Sequence, residues 1–200
     1  MILKALYDYY NRCGNLPAFG MEEKEIGFVI VISKEGKFVR FEDCRLDSKQ
    51  ARTYLVKKHV GRSSAIVANY LYDNSSYVLG YAENEKTKKD VEEQTKKRSD
   101  KENACLEAFK EKVDSIYKVY PENNDLAAIC KFYQQSKEEI LACISQDSLW
   151  EEIKKNLSKK YSTFSFRIDG DLKIVAEKKE ILQLEYSEDD NKGNGFCLIT

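Results

Sequence analysis

One segment constrains this chain more than any other: the charge-free run Ile26-Gly27-Phe28-Val29-Ile30-Val31-Ile32-Ser33. It is far too short for the ~20 residues that cross a bilayer. Its β-branched composition and its length are those of a buried strand. Ser33-Lys34-Glu35-Gly36-Lys37 supplies a turn, and Phe38-Val39-Arg40-Phe41 alternates like the strand that returns, so a hairpin is predicted near 26–44. A buried hairpin needs apolar cover. With 200 residues, 42% of them hydrophobic and 12% aromatic, the chain can supply it, since a chain this long buries roughly 70% of its unfolded surface. One compact domain, or two small ones sharing an interface, is expected.

The rest of the chain reads mostly as helix. Ile2, Leu3, Leu6, Tyr9 and Tyr10 are spaced for one apolar helical face, and Gly14, Asn15 and Pro17 close that segment. Charges of both signs crowd 84–98, as on a solvated helix face or a loop. Helical spacing resumes at Cys105, Phe109, Val113, Ile116 and Tyr120. Pro121 breaks it, Asn123 or Asn124 can cap a helix over 126–133, and Ser136 with Glu139 forms a capping box. Strand character returns over Tyr161–Ile168, and Asp169-Gly170 predicts a hairpin turn into a partner at Leu172–Ala176. Residues 185–194 read as a loop, and the chain stops inside an apolar strand-like segment, 195–200, which suggests a piece of a longer protein. The predicted architecture is α+β: antiparallel hairpins, an N-terminal helix and an inserted helical segment. Its parts are 1–83, 84–160 and 161–200.

Charge and chemistry narrow the function. Lys plus Arg number 33 and Asp plus Glu 34, so a polybasic coat and a polyacidic mimic are both excluded. Six cysteines (Cys13, Cys44, Cys105, Cys130, Cys143, Cys197) include no Cys-x-x-Cys pair, and reduced thiols packed as small hydrophobes are expected. No signal-peptide core opens the chain. A cytoplasmic location is expected, with no membrane partner. The single histidine, His59, and the lack of Gly-x-Ser-x-Gly, P-loop, Gly-x-Gly-x-x-Gly and His-Glu-x-x-His patterns argue against an enzyme. No metal or cofactor is implied. Asp169 and Asp171 could be read as metal-binding carboxylates of a nuclease, but Asp-Gly between strands is turn chemistry.

A basic block stands out in this neutral chain. Arg45, Lys49, Arg52, Lys57, Lys58 and Arg62 face a single acid, Asp47, across 45–62. Directly after Arg62, uncharged residues run to Asp73. Lys57, Lys58 and Arg62 can contact phosphates, as can the hydroxyls of Ser63 and Ser64. Asn69 and Asn74 each carry a donor and an acceptor for base edges. The same composition also suits a solvated loop in which Asn69 bonds its own backbone.

Five colinear blocks resemble the large subunit of the type I-C CRISPR interference complex (Cascade). They are Met1–Tyr10, Glu22–Ile32, Arg62–Gly80, Phe164–Asp171 and Phe196–Thr200. The resemblance implies the N-terminal domain of a longer subunit, set beside the 5′ end of the guide RNA and other subunits of the complex. It also implies recognition of the protospacer-adjacent motif (PAM) in target double-stranded DNA, strand opening, and recruitment of a helicase-nuclease through the parent subunit. Guide pairing would read the remaining sequence, a division of labour known from another RNA-guided effector. On this reading the block 62–74 faces the PAM duplex. Two positions depart from the family pattern: Gly61 stands where lysine is common, and Ala65 where glycine is common. The first implies a weaker phosphate grip, the second a less intimate backbone approach, and together a different PAM preference. The alternative is a subunit-docking domain of the same complex with its DNA contacts elsewhere; its signature would be a large exposed apolar patch.

Overall fold

A computed structural model describes residues 2–12, 17–18, 20–62, 65–82 and 91–183. The architecture is α+β. Helix α1 spans Ile2–Arg12, followed by strands β1 (Met21–Glu25), β2 (Phe28–Ile32), β3 (Phe38–Asp43), β4 (Thr53–Lys57) and β5 (Tyr72–Asn74). Helices α2 (Ser75–Val78), α3 (Val91–Val119), α4 (Asn124–Phe132), α5 (Lys137–Ile144) and α6 (Trp150–Asn156) then precede β6 (Thr163–Ile168). A short 3₁₀ turn, Val175–Glu177, and α7 (Lys179–Leu182) complete the described chain.

The four-stranded sheet has the order β3-β2-β6-β5. Strands β2 and β3 form the predicted antiparallel hairpin, and its turn relies on Gly36 at φ +77°. A Cβ there would also come within 2.6 Å of the Phe132 nitrogen. Every residue of β2 is buried, which is why the run 28–32 lacks polar alternation: both its faces are covered. On one face Phe166 meets Phe132 (5.6 Å), Tyr133 (5.8 Å) and Phe109 (6.4 Å), and Phe41 stacks on Trp150 at 5.9 Å. Sheet and helices thus share one apolar core. The helix caps fall where the sequence puts them: Asn123 accepts from Asp125 and Leu126, and Ser136 with Glu139 makes a full capping box.

The second predicted hairpin does not form. Asp169-Gly170 does turn the chain, with Gly170 at φ +89° and the Asp171 N–H donating to the Ile168 carbonyl at 3.0 Å. Among the described residues no strand follows it. Strand β6 is interior: it pairs parallel with β2 on one edge and antiparallel with β5 on the other. Strand β5 holds that edge at Thr163–Ser165, and residues 172–176 do not pair along the remainder. Ile174, Val175 and Ala176 bury as a 3₁₀ turn, and Leu172 is exposed. The two carboxylates of the turn face cations rather than each other, Asp169 toward Arg40 at 2.8 Å and Asp171 toward Lys178. The predicted C-terminal strand at 195–200 lies outside the described residues.

A two-stranded antiparallel ribbon, β1 with β4, stands beside this sheet. Gly27 joins ribbon to sheet at a point where the chain passes against Tyr161. An added Cβ would lie 2.5 Å from the Tyr161 carbonyl oxygen, so only glycine fits. Among the described residues no helix is long and apolar enough to cross a membrane.

Candidate nucleic-acid interface

The chain leaves β4 into the predicted contact block. The His59 N–H donates to Glu22 Oε1 at 3.1 Å, and its Nδ1 lies 2.7 Å from Glu22 Oε2. The Tyr72 hydroxyl reaches Glu22 Oε1 (3.0 Å) and the Lys57 carbonyl (2.7 Å). Partial burial pushes the Glu22 carboxyl upward, but the hydrogen bonds from His59 and Tyr72 outweigh it and hold the pKa below its usual 4.5. Residue 60 is then tied across the loop, with the Val60 N–H donating to Asn69 Oδ1 at 3.0 Å.

Asp73 is the hub of the loop. It is 2% exposed. Arg62 grips it with a two-armed fork, Nη1 to Oδ1 at 3.0 Å and Nη2 to Oδ2. The N–H groups of Asn69 (3.0 Å) and Asn74 (2.9 Å) donate to the same carboxylate. Arg62 Nε donates to the Val67 carbonyl at 2.6 Å, and its guanidinium lies 4.1 Å over the Tyr77 ring. A planar fork suits this role as a lysine would not. Leu71, just before β5, holds φ 62°, a conformation that costs a non-glycine residue about 1–3 kcal/mol. Its burial and a hydrogen bond from Ser165 Oγ to its carbonyl (2.9 Å) keep it there.

These struts shape a cleft of about 450 Å³. Its walls come from three places far apart in sequence: Lys24 on β1, the 59–62 and 69–74 segments, and residues 157–163 ahead of β6. The Arg62–Asp73 pair is neutral within itself. Lys24, Lys159 and Lys160 have no acidic partner among the described residues, so the cleft carries net positive charge. Ser162 also lines it. That residue is 4% exposed and its hydroxyl has no hydrogen-bond partner among the described residues, a state that costs about 1–3 kcal/mol unless a partner arrives.

The predicted contact residues thus separate. Arg62, Asn69 and Asn74 share the cleft. Asn74 is exposed, although its Oδ1 caps α2 through the Ser76 N–H at 3.0 Å. Asn69 is buried and its Oδ1 is engaged by Val60. Lys58 is exposed outside the cleft lining. Lys57 is buried, its ammonium 5.2 Å over the Tyr70 ring, and burial together with nearby Lys112 lowers its pKa. Arg45, from the same basic block, is held by Asp43 and Glu152 (3.0 Å). Ser63 and Ser64 lie outside the described residues. The sequence reading missed Lys24, His59, Lys159, Lys160 and Ser162 as cleft residues. One signal was present: Lys154, Lys155, Lys159 and Lys160 with no acid across 154–160.

An α+β scaffold with a basic cleft at the side of its sheet is the class of protein that fold and site define. The chain matches the family model of the CRISPR-associated protein Cas_Csd1 over residues 6–200 and belongs to that family. This is the family of the type I-C large subunit, in keeping with the colinear blocks of the sequence. A comparison with curated proteins finds no match.

Proposed function

We propose that this chain is a non-enzymatic DNA-recognition domain of a type I-C CRISPR surveillance complex, one that recognises the PAM in target duplex DNA and aids strand opening for guide pairing. The observation that carries the reading is the cleft itself: a cationic groove, with the exposed Asn74 amide on its wall, built from the block that resembles the family's DNA-contact segment. Cations supply sequence-independent grip and an amide supplies base-edge discrimination. The partners of this reading are other subunits of the complex, the 5′ end of the guide RNA, the target double-stranded DNA and a helicase-nuclease recruited through the parent subunit.

The test is duplex binding by the reassembled complex carrying Asn74→Ser, with correct and scrambled PAM. Serine keeps an oxygen to cap α2 but loses the amide donor. The preference for the correct PAM is expected to collapse while the complex still assembles; an unchanged preference would overturn the assignment.

The alternative, a docking domain, is favoured by one observation. Helix α1 forms as its spacing predicts, yet Ile2 (78%), Leu3 (61%), Leu6 (58%) and Tyr7 (67%) stand in solvent. A stripe of that kind is unusual on a protein that works alone. If Leu3→Glu with Leu6→Glu prevents assembly while Asn74→Ser leaves PAM preference intact, docking is the domain's function.

A further inference from the structure

We propose that the end of the cleft formed by Lys24, Lys159, Lys160 and Ser162 is a seat for a phosphodiester group of a nucleic-acid backbone. The inference rests on the nucleic-acid reading above for the class of ligand, and it assigns that ligand to residues outside the 62–74 block. Two independent observations meet at this place. Three lysines from two segments distant in sequence converge on one concavity without an acidic partner among the described residues. Beside them the buried Ser162 hydroxyl has no hydrogen-bond partner among the described residues. A phosphate oxygen satisfies both needs at once, accepting from the ammonium groups and, once the serine side chain rotates toward the cleft, from the hydroxyl. The segment is also held in position: the Ser162 N–H donates to the Lys159 carbonyl at 2.9 Å, and Thr163 enters β6 directly opposite Asn74 on β5. Anchoring the backbone there places it one strand away from the Asn74 amide. Base reading and backbone grip are then tasks of different residues.

Two variants of the reassembled complex test the seat, Lys159→Ala with Lys160→Ala, and Ser162→Ala. Lys154→Ala with Lys155→Ala serves as a control that removes the same charge from α6. Duplex affinity is measured across a salt series, and guide retention is measured alongside, since guide RNA carries the same phosphodiester chemistry. If target DNA occupies the seat, removing Lys159 and Lys160 weakens correct and scrambled PAM duplexes by the same factor. The slope of log affinity against log salt then becomes shallower by about 0.9 for each phosphate no longer neutralised. If guide RNA occupies it, the weakening falls on guide retention instead. Ser162→Ala removes an unsatisfied hydroxyl, so the melting temperature holds or rises while nucleic-acid affinity falls. An unchanged salt slope and unchanged guide retention would overturn the proposal. So would an equal effect from the Lys154 and Lys155 control, which would mean a diffuse field rather than a seat. Failure here with a lost PAM preference in Asn74→Ser leaves the DNA reading standing; the reverse result leaves the seat and removes the PAM assignment.

Discussion

The β2–β3–β6 part of the sheet and the loop that leads from β4 into the edge strand β5 are built on opposite principles. In the sheet, the buried side chains are apolar apart from Thr163 and Ser165 on β6, and backbone groups pair along ladders. In the loop, one buried carboxylate, Asp73, gathers a guanidinium and two backbone N–H groups. In the sheet a truncated side chain costs its own packing and the cavity it leaves, while the ladders around it persist. The loop is centred on a single charge and fails as a unit when that charge is left unpaired. The difference teaches where to look for function: the cations that the hub does not consume, Lys24, Lys159 and Lys160, are those left facing the cleft.

The largest effect is expected in the scaffold. Phe166→Ala removes the ring that meets Phe109, Phe132 and Tyr133, at a cost of about 3–5 kcal/mol in urea unfolding. A cost under about 1 kcal/mol, well below that range, would mean that sheet and helices do not share a core.

Arg62→Ala comes next. It strands Asp73 in the interior, and about 3 kcal/mol is expected, the low end for a broken buried pair, because the Arg62 side chain is 26% exposed. Adding Asp73→Asn should restore part of that stability, measured as a double-mutant cycle. If Arg62→Ala instead lowers DNA affinity with no change in stability, the hub description is wrong and Arg62 is a direct phosphate contact.

The smallest effect is a pH dependence at the ribbon. The pKa of Glu22 is held below 4.5 in the folded protein. Its carboxylate therefore contributes stability above the unfolded value, and that contribution is lost as the pH falls through the lower folded value. The gap in urea midpoint between wild type and Glu22→Gln should narrow as the pH is taken from neutral to below the folded pKa of Glu22. A gap that stays constant would show that His59 and Tyr72 do not stabilise the charge.

Much of this was legible in the sequence, for reasons particular residues make plain. The charge-free run 28–32 can only be a covered strand, and Gly36 marks its turn. The capping box Ser136–Glu139 and the Asn123 cap involve neighbours in sequence, and both form. What failed was what depends on distant partners. Asp169-Gly170 makes a turn in either fold, but whether 172–176 pairs with β6 depends on Tyr72–Asn74 having taken that edge. The strand Met21–Glu25 hides because Glu22-Glu23-Lys24-Glu25 has little strand propensity and is held by its pairing with 53–57 and by the Glu22 bonds to His59 and Tyr72. The site was half visible. The 45–62 block announced its charge, but the sequence could not show that Arg62 is spent on Asp73, that Lys57 lies over Tyr70, or that Lys159 and Lys160 arrive from across the chain.

The most direct test of the central claim is crosslinking from Gly61. That residue lines the cleft, and a Cβ added there meets nothing within 4 Å, which makes it the place to introduce a photoreactive phenylalanine derivative. In the reassembled complex bound to target duplex, the account predicts a crosslink to DNA at the nucleotides flanking the PAM. A crosslink to another protein subunit, or none to nucleic acid, would contradict it.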